Sequence, residues 1–549
     1  MGAAHKGLLF FRWIMVAALL LLLPFWEGQW RFLQDSSLYD PDMFVLFGFL
    51  RWRDAQLFPH DGIADYYLSL WMPPGYGLLQ RLWAQWFDPR LLHRYLPLLL
   101  WLACLPSAYV AGARLRGRVN GWATALLFSG SSIFIFRLNG GMAHGFAFPL
   151  TWWAVAALLS GRAVQLAACA ILAAALYPVV APVVGMTLAL WMLFPRLAPA
   201  IPRAAQQNLP LLKKLLWLAM PGAAVLALMA PMLVPQAGAY GEVIDLRRQW
   251  QDYPEATQGF AVINPFIYFV SAFALQHMAR LGDDAGQALT LGVFALLLAG
   301  VLLHDARDRR PGSLKPYAYA AVFFFLLSLL FAYQHAYRFA IYNLPVLITL
   351  YLPLVLRQLC NRVLPRRAQV AGFAFLLLAY IGCIAQAEER ASSYYLRLED
   401  WQVRALDFIG TLPKDAMLAG WPGDRYGRII EAVPYVAQRS ALVTWGGHTV
   451  AHRAYVLELR EKMFAVTEAY LARDAAPLIA LRERFGVDYL VVNAQDFSGH
   501  TPPLYIAPFN ARAEALWQQA QGHFYVLGEG QKAAVYQDGN IAVLDLHKL

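Results

Sequence analysis

The chain has 549 residues, of which 59% are hydrophobic, 14% are aromatic and only 15% are charged. This composition excludes an ordinary water-soluble protein and is typical of a chain that crosses a membrane many times. The net charge of +10 does not indicate nucleic-acid binding, because the basic residues form short clusters between apolar runs, where membrane insertion places them. The four cysteines lie in or beside apolar runs without a CxxC pair, so they predict neither a disulfide framework nor a zinc site.

The first apolar run, residues 8–25, has no small-x-small cleavage pattern after it. We therefore expect it to remain as a signal anchor, with Lys6 and Arg12 placing its start in the cytoplasm. The long segment that follows, residues 26–91, is dense in aromatic residues and poor in disorder-type composition. A loop of this length is usually functional, so we expect a folded first outer loop.

Ten further apolar runs are long enough to be membrane spans. They cover residues 92–113, 119–136, 144–160, 163–177, 179–194, 215–234, 287–303, 317–334, 339–356 and 368–385. With the anchor, about eleven transmembrane helices are expected. The arginines and lysines between them fall in alternate loops, on the side of the amino terminus, which puts the carboxy terminus outside.

Two segments interrupt this pattern. Tyr177-Pro178 divides a run that is too long for one span and predicts a turn between two helices. Residues 265–278 are apolar but short, and we expect them to form an interfacial or periplasmic helix.

After residue 385 charged residues become frequent and the apolar pattern takes the periods of a soluble domain. Five strands are predicted in "AMLAGW", "VDYLVVN", "HFYVLGEG", "KAAVYQ" and "IAVLDL", and three helices in residues 451–472, 475–485 and 510–521. The chain is therefore divided into a transmembrane module, residues 1–385, and a soluble periplasmic α/β domain, residues 386–549.

The first outer loop contains a short acidic motif close to the membrane. Asp40 and Asp42 flank a proline just past the first predicted helix, and His60, Asp61 and Asp65 follow in the same loop. Several ionisable groups beside a bilayer suit acid-base or metal chemistry on a polar headgroup. The alternative is that Asp40 and Asp42 only cap the helix that begins near Met43.

This layout resembles the GT-C class of membrane glycosyltransferases, in which an acidic motif of the first outer loop carries the catalytic aspartate and many helices precede a soluble outer domain. The segments that carry the resemblance are "DPDMFVLFGFLRWRDAQLFPHDGIADYY", "GFAFPL", "HAYRFAIYNLP", "LPKDAMLAGWPGD" and "LRERFGVDYLVV". The resemblance implies transfer of a sugar from a polyprenyl-phosphate donor to a glycan, lipid or protein acceptor at the periplasmic face of a bacterial inner membrane.

In this class a base activates the acceptor hydroxyl and a cation stabilises the phosphate leaving group. The resemblance makes Asp40 the expected general base and Asp42 a supporting carboxylate or metal ligand; dependence on Mg²⁺ or Mn²⁺ stays open. Arg338, with His335 and Tyr337 beside it, is expected at the donor phosphate, because arginine forks match phosphate oxygens. The alternative for Arg338 is an arginine that extends from a helix end to lipid headgroups.

Further candidates lie in other outer turns. Arg137 and His144 flank "LNGGMA" and are expected to contact donor phosphate or sugar, while His60, Asp61 and Asp65 are expected to contact substrate. For each of them a water-facing side chain is the alternative. The turns "WPGDRYGR" and "WGGHTVAHR" each follow a predicted strand and are candidates for an acceptor groove, although glycine-rich turns also serve packing alone.

Two other functions compete with transfer of one sugar. A transporter or lipid-linked sugar flippase also has many helices, but its site usually lies at the midplane, whereas the candidates here gather on the outer side. An oligosaccharyltransferase or ligase that moves whole glycan blocks differs mainly in the size of its cavity, which the sequence does not give.

Overall fold

The computed structural model describes most of the chain. The described residues are Val16, Leu20, Gln249 and residues 26–28, 30–131, 134, 137–198, 201–233, 240–244, 251–257, 314–330, 337–366, 368–391, 395–423, 428–448, 452–503 and 505–549. Most of them lie in helices, and the carboxy-terminal region also contains a β-sheet. The predicted segments 265–278 and 287–303 lie outside the described residues, as does nearly all of the first predicted span.

The loop of residues 26–91, here called the first loop, is folded where it is described, as the sequence predicted. It contains a 3₁₀ helix, Pro41–Trp52, and two α-helices, α1 (Gly62–Ser69) and α2 (Pro74–Trp86). The ends of these helices follow from local chemistry: Asp40 caps the 3₁₀ helix, and Asp61 caps α1 by accepting hydrogen bonds from two backbone N–H groups. Proline occupies a first helical position in the 3₁₀ helix and in α2, where a missing N–H costs nothing.

Nine apolar helices follow the first loop in the described part of the chain. They are α3 (Pro89–Arg116), α4 (Arg118–Ser129), α5 (Ala147–Leu159), α6 (Ala163–Leu176), α7 (Ala181–Leu193), α8 (Leu211–Leu233), α9 (Lys315–Leu330), α10 (Tyr337–Val363) and α11 (Gln369–Ala391). Within the described residues, three helical stretches are long and apolar enough to cross a membrane: Pro89–Arg116, Leu211–Met232 and Ile341–Val363. The chain is thus a mainly helical protein with candidate membrane spans, and the number of eleven spans stays a prediction.

The predicted break at Tyr177-Pro178 is confirmed, because α6 ends at Leu176 and α7 begins at Ala181. Helix α4 is shorter than the run that predicted it and ends before Gly130. Hydropathy alone extends a span through any apolar residue, so it does not find such an end.

The described part of the carboxy-terminal region contains four α-helices of ten or more residues, one α-helix of a single turn, and a mixed sheet. The helices are α12 (Asp400–Thr411), the single turn α13 (Ile429–Ala432), α14 (Arg453–Tyr470), α15 (Ala476–Phe485) and α16 (Phe509–Ala520). The strands are β3 (Met417–Gly420), β4 (Ser440–Ala441), β5 (Tyr489–Asn493), β6 (Ala534–Asp538) and β7 (Ile541–Asp545), in the order β4-β3-β5-β7-β6. Strand β3 is parallel to β4 and β5, and β7 is antiparallel to β5 and β6.

Most of the predicted elements of this region are confirmed, but one strand is wrong. The segment "HFYVLGEG" forms two short 3₁₀ helices, Tyr525–Leu527 and Glu529–Ala533. Its two glycines and the bend at Gly528 are incompatible with a continuous extended strand. Helix α12 and strand β4 were not predicted.

The two faces of the sheet are covered by different parts of the chain. Met417 and Ala419 of β3 pack in one core with α14, α15 and α16. Leu418, which points to the other face, packs in a second core with α12 and with Phe44 and Phe47 of the first outer loop. The first loop is therefore a structural layer of the terminal region.

A short antiparallel pair joins the same two parts of the chain. Strand β1 (Leu38–Tyr39), just before the acidic motif, pairs with β2 (Leu396–Arg397). Helix α11 continues past the predicted domain boundary at residue 385 and ends at Ala391. The position of that boundary therefore stays a prediction.

Candidate active site

A cavity lies where the first loop, the apolar helices and the terminal region meet. It contains about 1070 Å³ of empty space, part of it open to solvent. The residues that line it are Pro41, Asp42, Phe44, Val45, Phe47, Ile63, Tyr67, Arg137, Met142, His144, Arg338, Tyr342, Glu431, Pro434, Thr444, Trp445, Gly446 and Gly447. Four residues predicted from separate parts of the sequence, Asp42, Arg137, His144 and Arg338, thus share one cavity.

The two aspartates of the acidic motif have different surroundings. Asp40 is fully buried, and its Oδ1 accepts a hydrogen bond from the Asp42 N–H at 2.9 Å, so Asp40 caps the 3₁₀ helix. Asp42 is half-buried and lines the cavity. Asp42, the second residue of the 3₁₀ helix, is therefore the aspartate of the motif that lines the cavity.

The turn "LNGGMA" packs directly on the acidic motif. Gly140 has φ of +75°, and a Cβ placed on it would lie 2.9 Å from the Asp42 Cβ. Gly141 has φ of +68°, and its Cβ would lie 2.5 Å from the His93 Cα. Only glycine combines this backbone conformation with such close approach, and the turn thereby brings Arg137 and His144 to the cavity that Asp42 lines.

A buried hydrogen-bond network supports the glycine turn. The Tyr76 hydroxyl donates to the Gly141 carbonyl at 3.0 Å and accepts from the Gln80 amide at 3.0 Å. The Gln80 amide oxygen lies 3.2 Å from the His93 Nε2, and the His93 Nδ1 lies 3.0 Å from the Tyr435 hydroxyl. All four side chains are buried, so the network links helices α2 and α3 to the terminal region behind the cavity.

The second arginine of the cavity comes from the start of α10. Arg338 is half-buried and lies one turn before Tyr342, which is buried and also lines the cavity. His335 lies outside the described residues, and for Tyr337 only its place at the start of α10 is described.

The terminal region contributes a carboxyl group that the sequence analysis missed. Glu431 on α13 is buried, lines the cavity, and accepts a hydrogen bond from the Trp445 N–H at 2.6 Å. Burial raises its pKa to about 8, although the N–H groups of Trp445 and Gly446 act in the opposite direction. The feature of the sequence that could have identified Glu431 is its position as a single charged residue in the apolar run "IIEAVPYV".

Of the two glycine-rich turns after strands, "WGGH" lines the cavity. A Cβ on Gly446 would lie 2.6 Å from the Val45 Cγ1, and a Cβ on Gly447 would lie 3.1 Å from the Ile63 Cδ1. The Tyr67 hydroxyl donates to the Gly446 carbonyl at 2.5 Å. This turn is thus held against the first loop by close backbone packing.

The other turn, "WPGDRYGR", is described only at its ends. Arg428, its last residue, forms an ion pair with Asp496, whose second oxygen accepts from the Tyr470 hydroxyl at 2.7 Å. Neither Trp421 nor Arg428 is among the residues that line the cavity.

The second acidic cluster of the first loop is not among the lining residues either. Asp61 is buried and caps α1, with Oδ1 3.0 Å from the Ile63 N and 2.9 Å from the Ala64 N. Burial raises the pKa of Asp61 to about 6. Asp65 is exposed and forms an ion pair with Arg51, and His60 is exposed. Their expected contact with substrate stays a prediction.

The described residues contain no group of three or more His, Cys, Asp or Glu side chains that could hold a metal ion. The described residues that line the cavity do not form such a group either.

Comparison with known proteins gives distant structural likeness only. No family model matches the chain, and no curated protein matches it. Among solved structures, the oligosaccharyltransferase of Archaeoglobus fulgidus in complex with Zn and sulfate is 14% identical over 88% of this chain and 68% of that chain, with a TM-score of 0.49. The apo form of that oligosaccharyltransferase is 14% identical over 92% of this chain and 71% of that chain, with a TM-score of 0.49.

The same archaeal enzyme, AglB, in complex with an inhibitory peptide and a dolichol-phosphate is 15% identical, covers 98% of this chain and 74% of that chain, and has a TM-score of 0.44. At this level of identity and TM-score the likeness supports no conclusion about the activity of this chain.

Proposed function

We propose that the chain is a GT-C-type glycosyltransferase, which transfers a sugar from a polyprenyl-phosphate donor to a hydroxyl-bearing acceptor. The observation that carries the proposal is the cavity that Asp42, Arg137 and Arg338 line together. A carboxylate suits the acceptor hydroxyl, and two guanidinium groups suit a phosphate leaving group. The neighbouring apolar helices suit a donor whose anchor is a lipid.

The proposed reaction is a displacement at the anomeric carbon. The acceptor oxygen forms a bond to that carbon while the bond from the carbon to the phosphate oxygen breaks. The hydroxyl proton passes to the base, and the electron pair of the broken bond leaves with the polyprenyl phosphate. Arg137 and Arg338 stabilise the charge that develops on the phosphate.

Asp42 is the stronger candidate for the base, because it lines the cavity whereas Asp40 is buried as a helix cap. In this assignment Asp40 is a positioning residue: it holds the first turn of the 3₁₀ helix and with it the Asp42 side chain. His144 is proposed to donate a hydrogen bond to the donor, and His335 and Tyr337 keep the donor-binding roles that the sequence suggested.

Binding of a metal ion by Asp42 is also part of the proposal. The described residues do not form a complete set of ligands for such an ion. If Mg²⁺ or Mn²⁺ binds, it supplies positive charge at the phosphate. The roles given above to Asp42, Arg137 and Arg338 do not depend on it.

The proposed location is the periplasmic face of a bacterial inner membrane, with the amino terminus in the cytoplasm. Residues 1–385 are proposed as the membrane module and residues 386–549 as the periplasmic domain. The acceptor is a glycan, a lipid or a protein.

The test is transfer of radiolabelled sugar by the purified protein from a panel of polyprenyl-phosphate donors, including oligosaccharide-linked ones, with and without chelator. We expect Asp42→Asn to lose turnover by at least about 100-fold while it still binds donor. Asp40→Ser keeps a good helix cap without a carboxylate, so it should keep most of the activity if Asp42 is the base.

A large loss in Asp40→Ser with most of the activity kept in Asp42→Asn would instead support Asp40 as the base. If donors bind and cross proteoliposome membranes without cleavage of the glycosidic bond, the protein is a flippase and the transferase proposal is wrong. If only oligosaccharide-linked donors react, the protein transfers whole glycan blocks.

A further inference from the structure

Glu431 has no role in the reaction described above, yet its carboxyl group belongs to the cavity wall. It lies on α13 next to Ile429 and Ile430, which are buried, and its Oε1 is held by the Trp445 N–H at 2.6 Å. The chain therefore fixes this carboxyl at the point where α13 meets the "WGGH" turn.

The position of Glu431 beside the first loop depends on close packing. A Cβ on Gly446 would lie 2.6 Å from the Val45 Cγ1 and one on Gly447 would lie 3.1 Å from the Ile63 Cδ1, so a larger residue at either position would require these side chains to shift. As a result, Glu431 of the terminal region and Asp42 of the first loop line the same cavity.

The surroundings of Glu431 favour a neutral acid. Burial is the main cause of its raised pKa of about 8, and a carboxylic acid that keeps its proton can donate a hydrogen bond. The titratable and charged groups on the surrounding elements are Asp42, Tyr67, Arg137, His144 and Arg338 around the cavity and Tyr505 in the terminal region.

The residues beside Glu431 suit a sugar ring. Trp445 and Tyr67 are half-buried aromatic side chains in the same wall, and Thr444 is next to them. Aromatic faces together with a few fixed hydrogen-bonding groups bind polar ligands that have apolar faces. The two arginines of the cavity disfavour a cationic ligand by like-charge repulsion.

We propose that Glu431 binds the acceptor by donating a hydrogen bond from its carboxylic acid, and that the acceptor is a neutral carbohydrate. This inference rests on the proposed transferase activity and extends it to the acceptor side of the cavity. Glu431 is thus a specificity-determining residue, separate from the base and from the groups at the donor phosphate.

The experiment measures sugar transfer by the full chain from a radiolabelled polyprenyl-phosphate monosaccharide. The acceptor probes are methyl glycosides and short oligosaccharides of neutral hexoses, amino sugars with a free amine, and short peptides with serine, threonine or asparagine. Hydrolysis of the donor sugar, measured without acceptor, reports binding and cleavage of the donor independently of the acceptor.

We expect neutral saccharides to be the accepted probes. Glu431→Ala should raise the KM for the saccharide about tenfold, as loss of a hydrogen bond does, and leave the KM for donor unchanged. Glu431→Gln keeps an N–H donor, so its saccharide KM should stay close to that of wild type. The wild type should lose saccharide affinity as pH rises through about 8, and Glu431→Gln should not.

The matched control is Glu458→Gln, which removes a glutamate that pairs with Lys462 outside the cavity lining; both KM values should be unchanged. Melting temperatures of all variants separate loss of binding from loss of folding. If Glu431→Ala is unstable, the pH profile of Glu431→Gln still tests the inference.

If the protein consumes donor, three outcomes would overturn the inference about Glu431 but leave the transferase proposal standing. The first is a preference for peptides or amines over neutral saccharides. The others are a saccharide KM that is unchanged in Glu431→Ala, and a Glu431→Gln variant that behaves as Glu431→Ala does. If the wild type consumes no donor with any acceptor or with water, the transferase proposal fails and the inference fails with it.

Discussion

At the scale of single residues, the acidic motif combines a structural and a chemical position within three residues. The sequence offered acid-base chemistry and helix capping as alternatives for this triplet, with Asp40 as the expected base; in the structure Asp40 is the cap and Asp42 lines the cavity. The sequence does not distinguish them, because the difference arises from the direction of one turn of 3₁₀ helix. Glu431 was missed for a related reason: nothing near it in the sequence shows that the terminal region faces the acidic motif.

Gly140 is the residue through which the outer turn contacts the acidic motif. Gly140→Ala combines an unfavourable positive φ with a contact of 2.9 Å at the Asp42 Cβ, so we expect at least a tenfold loss of sugar transfer. Gly117→Ala is the matched control, because Gly117 also has positive φ (+89°) but has nothing within 4 Å of its Cβ position. Equal losses in both variants would show that backbone strain, and not displacement of Asp42, is the cause.

Asp61 should make stability depend on pH. Its folded-state pKa of about 6 is above its usual value, so the folded state binds the proton more tightly, and its contribution to the free energy of unfolding falls as pH rises from about 4 to about 6. Asp61→Asn keeps a helix cap and cannot ionise. We expect it to exceed wild type by about 2 kcal/mol at pH 7.5 and to match wild type near pH 4.

Melting temperatures measured across this pH range test the prediction for Asp61. Asp54→Asn is the control, because Lys414 and the Gln56 N–H lower the pKa of the exposed Asp54. Its small effect should have the opposite sign. A difference between Asp61→Asn and wild type that stays constant from pH 4 to pH 7.5 would contradict the titration of Asp61.

At the scale of elements, the sequence identified those parts that have a strong period or a strong breaker. Helices α14, α15 and α16, the strands β3, β5, β6 and β7, and the turn between α6 and α7 agree with it. Strand β4 has two residues and α13 has four, which is too short for any period to be read. The predicted strand "HFYVLGEG" is rich in β-forming residues, but its two glycines favour turns. The Tyr525 N–H donates to the Ala472 carbonyl at 2.8 Å, which also holds this segment in a turn.

The hydrogen bond between α3 and the terminal region can be tested by removing one hydroxyl. Tyr435→Phe leaves the buried Nδ1 of His93 without the partner that it has at 3.0 Å, which we expect to cost about 1 to 3 kcal/mol. The melting temperature should fall accordingly. Tyr489→Phe, which removes a hydroxyl from a half-buried tyrosine of β5, is the control, and a similar fall in that variant would argue against a special role for the network.

At the scale of the whole molecule, the terminal sheet does not have a complete core of its own. One face packs on α14, α15 and α16, but the other packs on Phe44, Phe47, Leu50 and Phe58 of the first loop. The sequence predicted the two parts separately and did not predict that they form one core, since contacts between distant segments leave no local pattern. The cavity lies at this joint, which is why its residues come from four regions of the sequence.

Orientation in the membrane is a prediction of the whole chain. In intact cells, a maleimide that does not cross membranes should label Gln56→Cys, an exposed residue of the first loop. It should not label Arg118→Cys, an exposed residue at the start of α4. The three described cysteines are buried, and the unsubstituted protein gives the background. Labelling of Arg118→Cys without permeabilisation would reverse the proposed topology.

The pairing of β1 with β2 has a consequence for the order in which the protein matures. The acidic motif is synthesised long before β3, β5 and β7, which are the internal strands of the sheet that packs on the first loop. Contacts between such distant segments form late. A chain whose synthesis has not yet reached β7 would therefore have its acidic motif without the complete sheet that packs on the first loop, and the cavity between them would be unfinished.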